Sequence, residues 1–377
     1  MQIWMMIESA PCQMKFYVTF CHFYQLKMLL QQVFFQRDGP YYGLSVSNLD
    51  LDKQRFIESG KPMSLFPKFV FAAIFKRSVY HQPIKNFRLV CEETFVDGTM
   101  KYDFEMWLTS LAEHKLEHLE IQLDLGYYFP SCIFSLRNLV VLKLKYLNMF
   151  TFSDVDFPFL KSLHLNDVHY DVHFDERWFI FKFLTGCPIL EDVEVENMTI
   201  GNMSDCPDRV HKRLPKLVRA NISNTPIIHL PLEPFCIVES LRLVEVFDNI
   251  PVFSNLTHVQ LVYYTYVDWH LCFDVLKKCP KLQNFDLDTP TSIFNHILGP
   301  CNLPECISLK LQKCIIKNFI GEENGIKFVQ YIMLNSKSLQ KIAISCESFM
   351  DPHTKLELQQ ELFSFPKSSA TCQICFE

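Results

Sequence analysis

Between Leu116 and Val195 the chain carries one pattern four times. KLEHLEIQLD, NLVVLKLKYL, FLKSLHLNDV and ILEDVEVENM place apolar residues at positions one, four and six of a common template, with mostly polar residues between. The triplets are Leu116-Leu119-Ile121, Leu139-Leu142-Leu144, Leu160-Leu163-Leu165 and Leu190-Val193-Val195. Alternate side chains of a strand share a face, so positions four and six point the same way. A unit this short cannot bury that face alone, and its neighbours must stack against it. The pattern predicts a solenoid, whose function is sought on a surface before a pocket.

The template is a leucine-rich-repeat strand signature. The expected fold is α/β: an irregular leucine-rich-repeat solenoid, with a curved parallel sheet, helical or irregular return segments and a helical N-terminal cap. Weaker matches continue at Leu217-Ala220-Ile222, Val238-Leu241-Leu243, Leu256-Val259-Leu261, Leu282-Phe285-Leu287, Cys306-Leu309-Leu311 and Leu339-Ile342-Ile344. Helices are expected between strands at Phe179 to Leu184, Trp269 to Lys278 and Gly325 to Ser336, the last with Ile326, Val329 and Met333 on one stripe. The common template has Asn or Cys at position nine to bond the turn backbone. Here Asp124, Leu147, Val168 and Met198 stand there and only Cys314 fits, so the turns must satisfy their backbone groups otherwise.

Residues 1–43 fit no template and carry a turn signal at Asp38-Gly39-Pro40. A cap region, 44–115, opens on the strand-like LSVSNLDLD. Ser64 is expected to cap a helix reaching Arg77, with Phe66, Phe69, Val70, Ala73 and Ile74 on one face and Pro67 tolerated in the first turn. A strand through Phe87, Leu89 and Cys91 follows. A short helix lined by Trp107, Leu108, Leu111 and Ala112 then leads to Leu116. The repeats occupy 116–299, a further unit continues them over 300–346, and 347–377 form a tail.

Composition narrows the function classes. Glycine is scarce, 10 of 377 residues, which argues against phosphate-cradling loops. Nucleotide-loop, nucleophile-elbow and paired-histidine zinc motifs are also absent. The formal net charge of −6 offers no basic footprint for nucleic acid. The apolar run from Phe69 to Phe75 is too short to span a bilayer, so no membrane association is expected. The 15 cysteines are odd in number, lack a regular framework and often fall on strand or helix positions. They read as free thiols in a cytoplasmic or nuclear protein.

Two clusters carry metal-capable or redox-capable side chains. His164, His169, Asp171, His173 and Asp175 are suitable donors, without the spacing of known zinc motifs. Cys372-Gln373-Ile374-Cys375 is a lone C-x-x-C at the end of the chain, with no second pair. No catalytic, metal or cofactor residue is assigned from these. The outward positions three, five and seven of the repeats are more informative. On the predicted concave face they place Lys143, Lys145, His164, Asn166, Asp192, Glu194, Glu196, Arg219, Asn221, Arg242, His258 and Gln260. Ser308, Lys310 and Gln312 would follow from the Cys306 match. Such charge patterning suits a protein or peptide partner, and an ordinary solvated sheet face carries the same residue types.

Several phrases resemble a plant family, the F-box proteins with leucine-rich repeats and a C-terminal FBD region. FPKFVFAAIFKR, IKNFRLVC and the Trp107 helix resemble its approach to the repeats. FPFLKSLHLNDVHY followed by FLTGCPILEDVEV resembles its central signature. The stretch from LPECISLKLQKC to LQKIAIS resembles its FBD region, read as a Pro-x-Cys strand, a Gly-Glu turn, an amphipathic helix and a last strand. The phrases occur in the family's order over residues 44 to 346. The resemblance implies a non-catalytic substrate receptor of an SCF-type ubiquitin ligase, whose F-box binds a Skp-type adaptor while the repeats hold a protein substrate. Residues 1–43 lack the family's Leu-Pro opening and its Ser-x-Arg-Trp phrase; only LSVSNLDLD resembles the end of that module. A missing or degenerate F-box is the expectation, whether by truncation, by mis-splicing or in a repeat protein that has lost the module. The alternative is a repeat-only binding module that does not engage the ligase. A metal-dependent enzyme is a third reading.

Overall fold

The computed structural model describes residues 47–91, 99–123, 128–149, 155–170, 179–197, 214–223, 232–244, 250–263, 269–289 and 304–376. The expectations for 1–43, for Asp124 and Met198, and for Asp171, His173 and Asp175 fall outside them. The chain divides into two units, Met1–Leu139 and Val140–Glu377.

In the first unit, β1 (Asn48–Asp52), β2 (Asn86–Val90) and β3 (His118–Gln122) pair in parallel. Leu49, Phe87 and Leu119 align in one buried row, and Leu51, Leu89 and Ile121 in the next. Ile84, Phe87 and Leu89 keep the one-four-six spacing. The intervening residues face outward: Arg88 donates to Asp50 at 2.8 Å and to Glu120 at 3.0 Å. Asp52 caps α1 (Lys53–Glu58) by accepting the Arg55 amide. A 3-10 turn, Met63–Leu65, then opens α2 (Phe66–Val79). Ser64 lies inside that turn and makes no cap; Leu65 holds the N-cap position without a side-chain bond. Pro67 occupies the first helical turn, where its missing N–H costs nothing. Phe66, Val70, Ala73 and Ile74 are buried and Phe69 is half-buried. In α3 (Thr99–Leu111), Phe104, Trp107, Leu108 and Leu111 are buried, whereas Ala112, just past the helix end, is exposed. A two-residue strand, β4 (Tyr128–Phe129), and a 3-10 turn, Ser131–Ser135, follow.

The described residues of the second unit hold ten strands: β5 (Val141–Met149), β6 (Ser162–Tyr170), β7 (Asp192–Glu196), β8 (Arg219–Ser223), β9 (Ser240–Val244), β10 (His258–Val262), β11 (Asn284–Asp288), β12 (Lys313–Phe319), β13 (Lys341–Cys346) and β14 (Gln373–Phe376). They pair in chain order, all parallel. Register is held strictly at position four, where Leu142, Leu163, Val193, Ala220, Leu241, Val259, Phe285, Cys314, Ile342 and Ile374 form one row. All but Ile374, on the last strand, are buried.

Two backbone devices repeat along this unit. Pro158, Pro188, Pro215 and Pro280 each stand two residues before a position-one leucine. That leucine's N–H reaches back to the carbonyl of Phe157, Cys187, Leu214 or Cys279, at 3.1–3.2 Å, a turn for which proline supplies the required φ. Next, the carbonyl at position two of one repeat accepts the amides at positions two and three of the following repeat. Val140 thus receives Lys161 and Ser162, Lys161 receives Glu191 and Asp192, and Gln283 receives Gln312 and Lys313. This stitching is continuous through Gln312, which receives Gln340 and Lys341.

The missing asparagine ladder is replaced at position eight. Tyr146, Asp167, Asn197 and Asn318 all have φ between +51° and +58°, a left-handed kink that Asn and Asp tolerate best. The kink returns position nine to the core: Leu147, Val168 and Phe319 are fully buried. The ladder is extended past the strands by Asn197, Tyr263 and Thr289, whose amides donate to Ser223, Asp288 and Lys317.

One predicted repeat is out of register. Glu305 to Leu309 form a short helix, α6, begun by Pro304. Leu309 is 55 % exposed, and the strand starts at Lys313. The true triplet is Leu311-Cys314-Ile316, all fully buried. Cys314 is therefore a position-four core residue and not a position-nine cap, and the Pro-x-Cys segment is a helix start and not a strand. Ser308, Lys310 and Gln312 accordingly leave the outward face, and Lys313, Ile315 and Lys317 replace them.

Helices α4 (Phe179–Thr185), α5 (Trp269–Lys278) and α7 (Glu323–Asn335) appear where return helices were expected. On α7, Val329 and Met333 are buried with Phe328 and Ile332, while Ile326 is only half-buried. Beyond β13, α8 (Pro352–Ser364) is capped by Asp351 and followed by β14, so the array runs one strand past Ile344. Gly186 follows α4 with no room for a side chain: an added Cβ would lie 2.3 Å from the Val155 carbonyl oxygen. Gly186→Ala is expected to cost ~1–3 kcal/mol, because backbone must move; an unchanged melting midpoint would refute this close approach.

Glu322 precedes α7, and burial pushes its carboxyl above the ordinary range despite hydrogen bonding from backbone and from Trp269. The folded chain therefore holds this proton more tightly than the unfolded chain does. Its contribution is favourable below the ordinary glutamate pKa and is lost as pH rises through the raised value. Glu322→Gln should leave Tm unchanged near pH 4 and raise it by about 2–4 °C at pH 8. Equal shifts at both pH values would count against a buried carboxylate.

Candidate functional site

The outward face of the second unit is built by alternation. Wherever positions four and six turn inward, positions three, five and seven turn out. Each of the twelve residues on β5 to β10 stands at such a position, half-buried or exposed, with at least one buried neighbour in the chain. The structure links most of them across strands. Asp192 lies at the centre: its Oδ2 meets His164 Nε2 at 3.0 Å and accepts the Ser162 hydroxyl at 3.2 Å, while Oδ1 accepts Arg219 Nε at 3.0 Å. Burial works against this carboxylate, but His164 and Arg219 outweigh it and hold it below the usual range. Glu194 approaches His164 Nδ1 at 3.9 Å. Asn166 donates to Glu196 at 2.7 Å and Arg242 to Asn221 at 3.1 Å. His258 faces Asp286 at 3.7 Å. Gln260 lies beside them on β10.

Ser162, His164 and Asp192 have the residue types of a hydrolytic triad without its geometry. Serine and aspartate both address the same imidazole nitrogen, Nε2, with Ser162 Oγ at 3.0 Å. A relay needs the carboxylate on one nitrogen and the nucleophile on the other. The arrangement orders a surface instead. Among the described residues no three His, Cys, Asp or Glu side chains gather as a metal cage. His169 lies on β6, and His164 is engaged with Asp192. Cys372 is buried just before β14, and Cys375 lies half-buried on it. Three residues apart on an extended chain they point to opposite faces, so they do not form one site. No described helix is long and apolar enough to cross a membrane.

The lysines behave differently from the acids. Lys143 and Lys145, on β5, have no carboxylate partner among the described residues; Lys145 lies over the Tyr146 ring at 4.7 Å. Lys341, on β13, shares the face at position three of the Leu339-Ile342-Ile344 match; Lys313 and Lys317, on β12, share it too and were missed in sequence because the Cys306 match set the wrong register. The signal that finds them is Leu311-Cys314-Ile316, which fits the template equally well.

Residues 299–344 match the family model described as FBD. A putative F-box/FBD/LRR-repeat protein of Arabidopsis thaliana is 24% identical over 413 residues, covering 88% of this chain and 90% of that one. Two further Arabidopsis F-box/FBD/LRR-repeat proteins are 24% and 28% identical, covering 71% and 73% of this chain and 78% and 76% of theirs. The FBD match begins before α6 and ends within β13, so it spans the corrected repeat and α7. With relatives aligned along most of the array and the FBD match at its end, the chain is similar to the F-box/FBD/leucine-rich-repeat proteins.

Proposed function

We propose that the chain is a non-catalytic protein-interaction scaffold, a substrate receptor for an SCF-type ubiquitin ligase in the cytoplasm or nucleus. The observation that carries this reading is the outward sheet face. Its polar side chains are fixed by cross-strand bonds around Asp192 on a rigid parallel frame, which pre-organises a surface for a macromolecular partner. The F-box in the names of the relatives supports recruitment of a Skp-type adaptor. Lys143, Lys145, His164, Asn166, Asp192, Glu194, Glu196, Arg219, Asn221, Arg242, His258 and Gln260 are the proposed partner-facing residues.

Affinity capture of the full chain from plant cells tests the ligase half of the proposal. A Skp-type adaptor is expected in the eluate, and deletion of residues 1–46 is expected to abolish it. If an intact F-box control captures the adaptor under the same conditions and this chain does not, the receptor reading fails. The chain is then a repeat-only binding module, consistent with the absent Leu-Pro and Ser-x-Arg-Trp phrases.

A further inference from the structure

The outward face of the second unit engages its acids and arginines and leaves its lysines without a described carboxylate partner. On β6 to β8, Asp192, Glu194 and Glu196 are each met by His164, Arg219 or Asn166. On β10 to β12, His258 faces Asp286, and Asn318 donates to Asp288 at 2.7 Å. No described carboxylate meets Lys313, Lys317 or Lys341. Lys313 and Lys341 are register partners on neighbouring strands, so their backbones lie about 4.8 Å apart. Like charges placed directly opposite are unfavourable, and no described ion pair relieves this one, although Asp288 of β11 is the register partner of Lys317. Between the lysines, Ile315 and Ala343 form the next register pair, half-buried on the same outward face. The result is an apolar seat with three lysines that form no described ion pair, bordered on its β11 side by Asp286 and Asp288, in a chain whose net charge is −6.

We infer that the outward face of β12 and β13 docks an acidic peptide segment of a protein partner, with an apolar side chain on Ile315 and Ala343 and flanking carboxylates on Lys313, Lys317 and Lys341. This rests on the reading of the sheet as a docking face and names the chemistry of its partner. Charge complementarity selects the occupant. A uniform polyanion is disfavoured, because Asp286 and Asp288 border the seat on β11 and would repel it. An acidic peptide with an apolar residue between its carboxylates satisfies both the lysines and the seat.

The test is peptide-display selection on the immobilised full chain, using a random library, followed by fluorescence anisotropy on the selected sequences. Selected peptides should be enriched in Asp or Glu around an apolar residue. Lys313→Glu with Lys341→Glu should weaken their binding about tenfold or more. Lys277→Glu with Lys278→Glu, exposed on the return helix α5, should leave it unchanged. Circular dichroism melts of both variants separate lost binding from lost folding, and Lys313→Gln with Lys341→Gln provides a milder pair should charge reversal unfold the chain. An absence of acidic enrichment, or binding indifferent to both Lys313/Lys341 pairs, overturns the inference. Tighter binding of a single-stranded oligonucleotide than of the best peptide also overturns it. Basic peptides lost on Glu194→Lys would overturn this inference while leaving the sheet a docking face. A chain that binds its peptides here and recovers no Skp-type adaptor would sink the ligase reading alone.

Discussion

Leu163→Asp is expected to unfold the repeats around β6, at a cost of ~5 kcal/mol or more. Leu163 is completely buried and lies in register between Leu142 and Val193. The substitution removes the burial of a leucine, about 1.5–3 kcal/mol, and places a carboxylate in an apolar row, several kcal/mol more. The charge cannot escape to water, because the residues on either side, Ser162 and His164, hold the outward positions of the strand and are tied to Asp192. Leu163→Met, which conserves volume, should cost under about 1.5 kcal/mol. Urea unfolding of the two variants against the parent gives the comparison. Equal midpoints for the Asp and Met variants would show that Leu163 is not in the core.

That prediction rests on a position read from sequence, and its neighbours show why the reading worked there. Around Leu163 the template is unambiguous, because one-four-six leucines alternate with Ser162, His164 and Asn166, and Pro158 sets the turn before them. Near Cys306 two overlapping triplets satisfy the same spacing. Periodicity alone does not choose between them, whereas Pro304 does, since proline in this setting begins a helix turn. The position-eight kink was illegible for another reason. Its residues are Tyr146, Asp167, Asn197 and Asn318, and no glycine marks the positive φ. The outward face was legible as a set of residues, because alternation fixes which side chains point out. Its pairings were not, since His164 has both Asp192 and Glu194 of β7 near it and only side-chain geometry selects Asp192 at 3.0 Å over Glu194 at 3.9 Å. The open lysines of β12 depended on the register and were lost with it.

Phe328→Ala is expected to be the most damaging truncation in the FBD-matched segment. Phe328 is 1 % exposed, and its ring centroid lies 5.0 Å from that of Trp269, 5.2 Å from Phe273 and 5.9 Å from Phe285. The ring thus joins α5, α7 and the core face of β11. Removing it should cost ~3–5 kcal/mol, with ring–ring contacts contributing ~0.5–1.5 kcal/mol each to the loss. Because a solenoid is stabilised between nearest neighbours, the damage should be local. Hydrogen exchange is expected to accelerate first in α7, β12 and β13, while β5 to β7 keep their protection at moderate urea. A loss under about 1 kcal/mol would show that the cluster repacks around the gap. Uniform loss of protection would show that the unit opens as a whole. In the local case the Phe328→Ala variant should also lose acidic-peptide binding with every lysine intact, because the strands that carry Lys313 and Lys341 are held in register by the core beneath them.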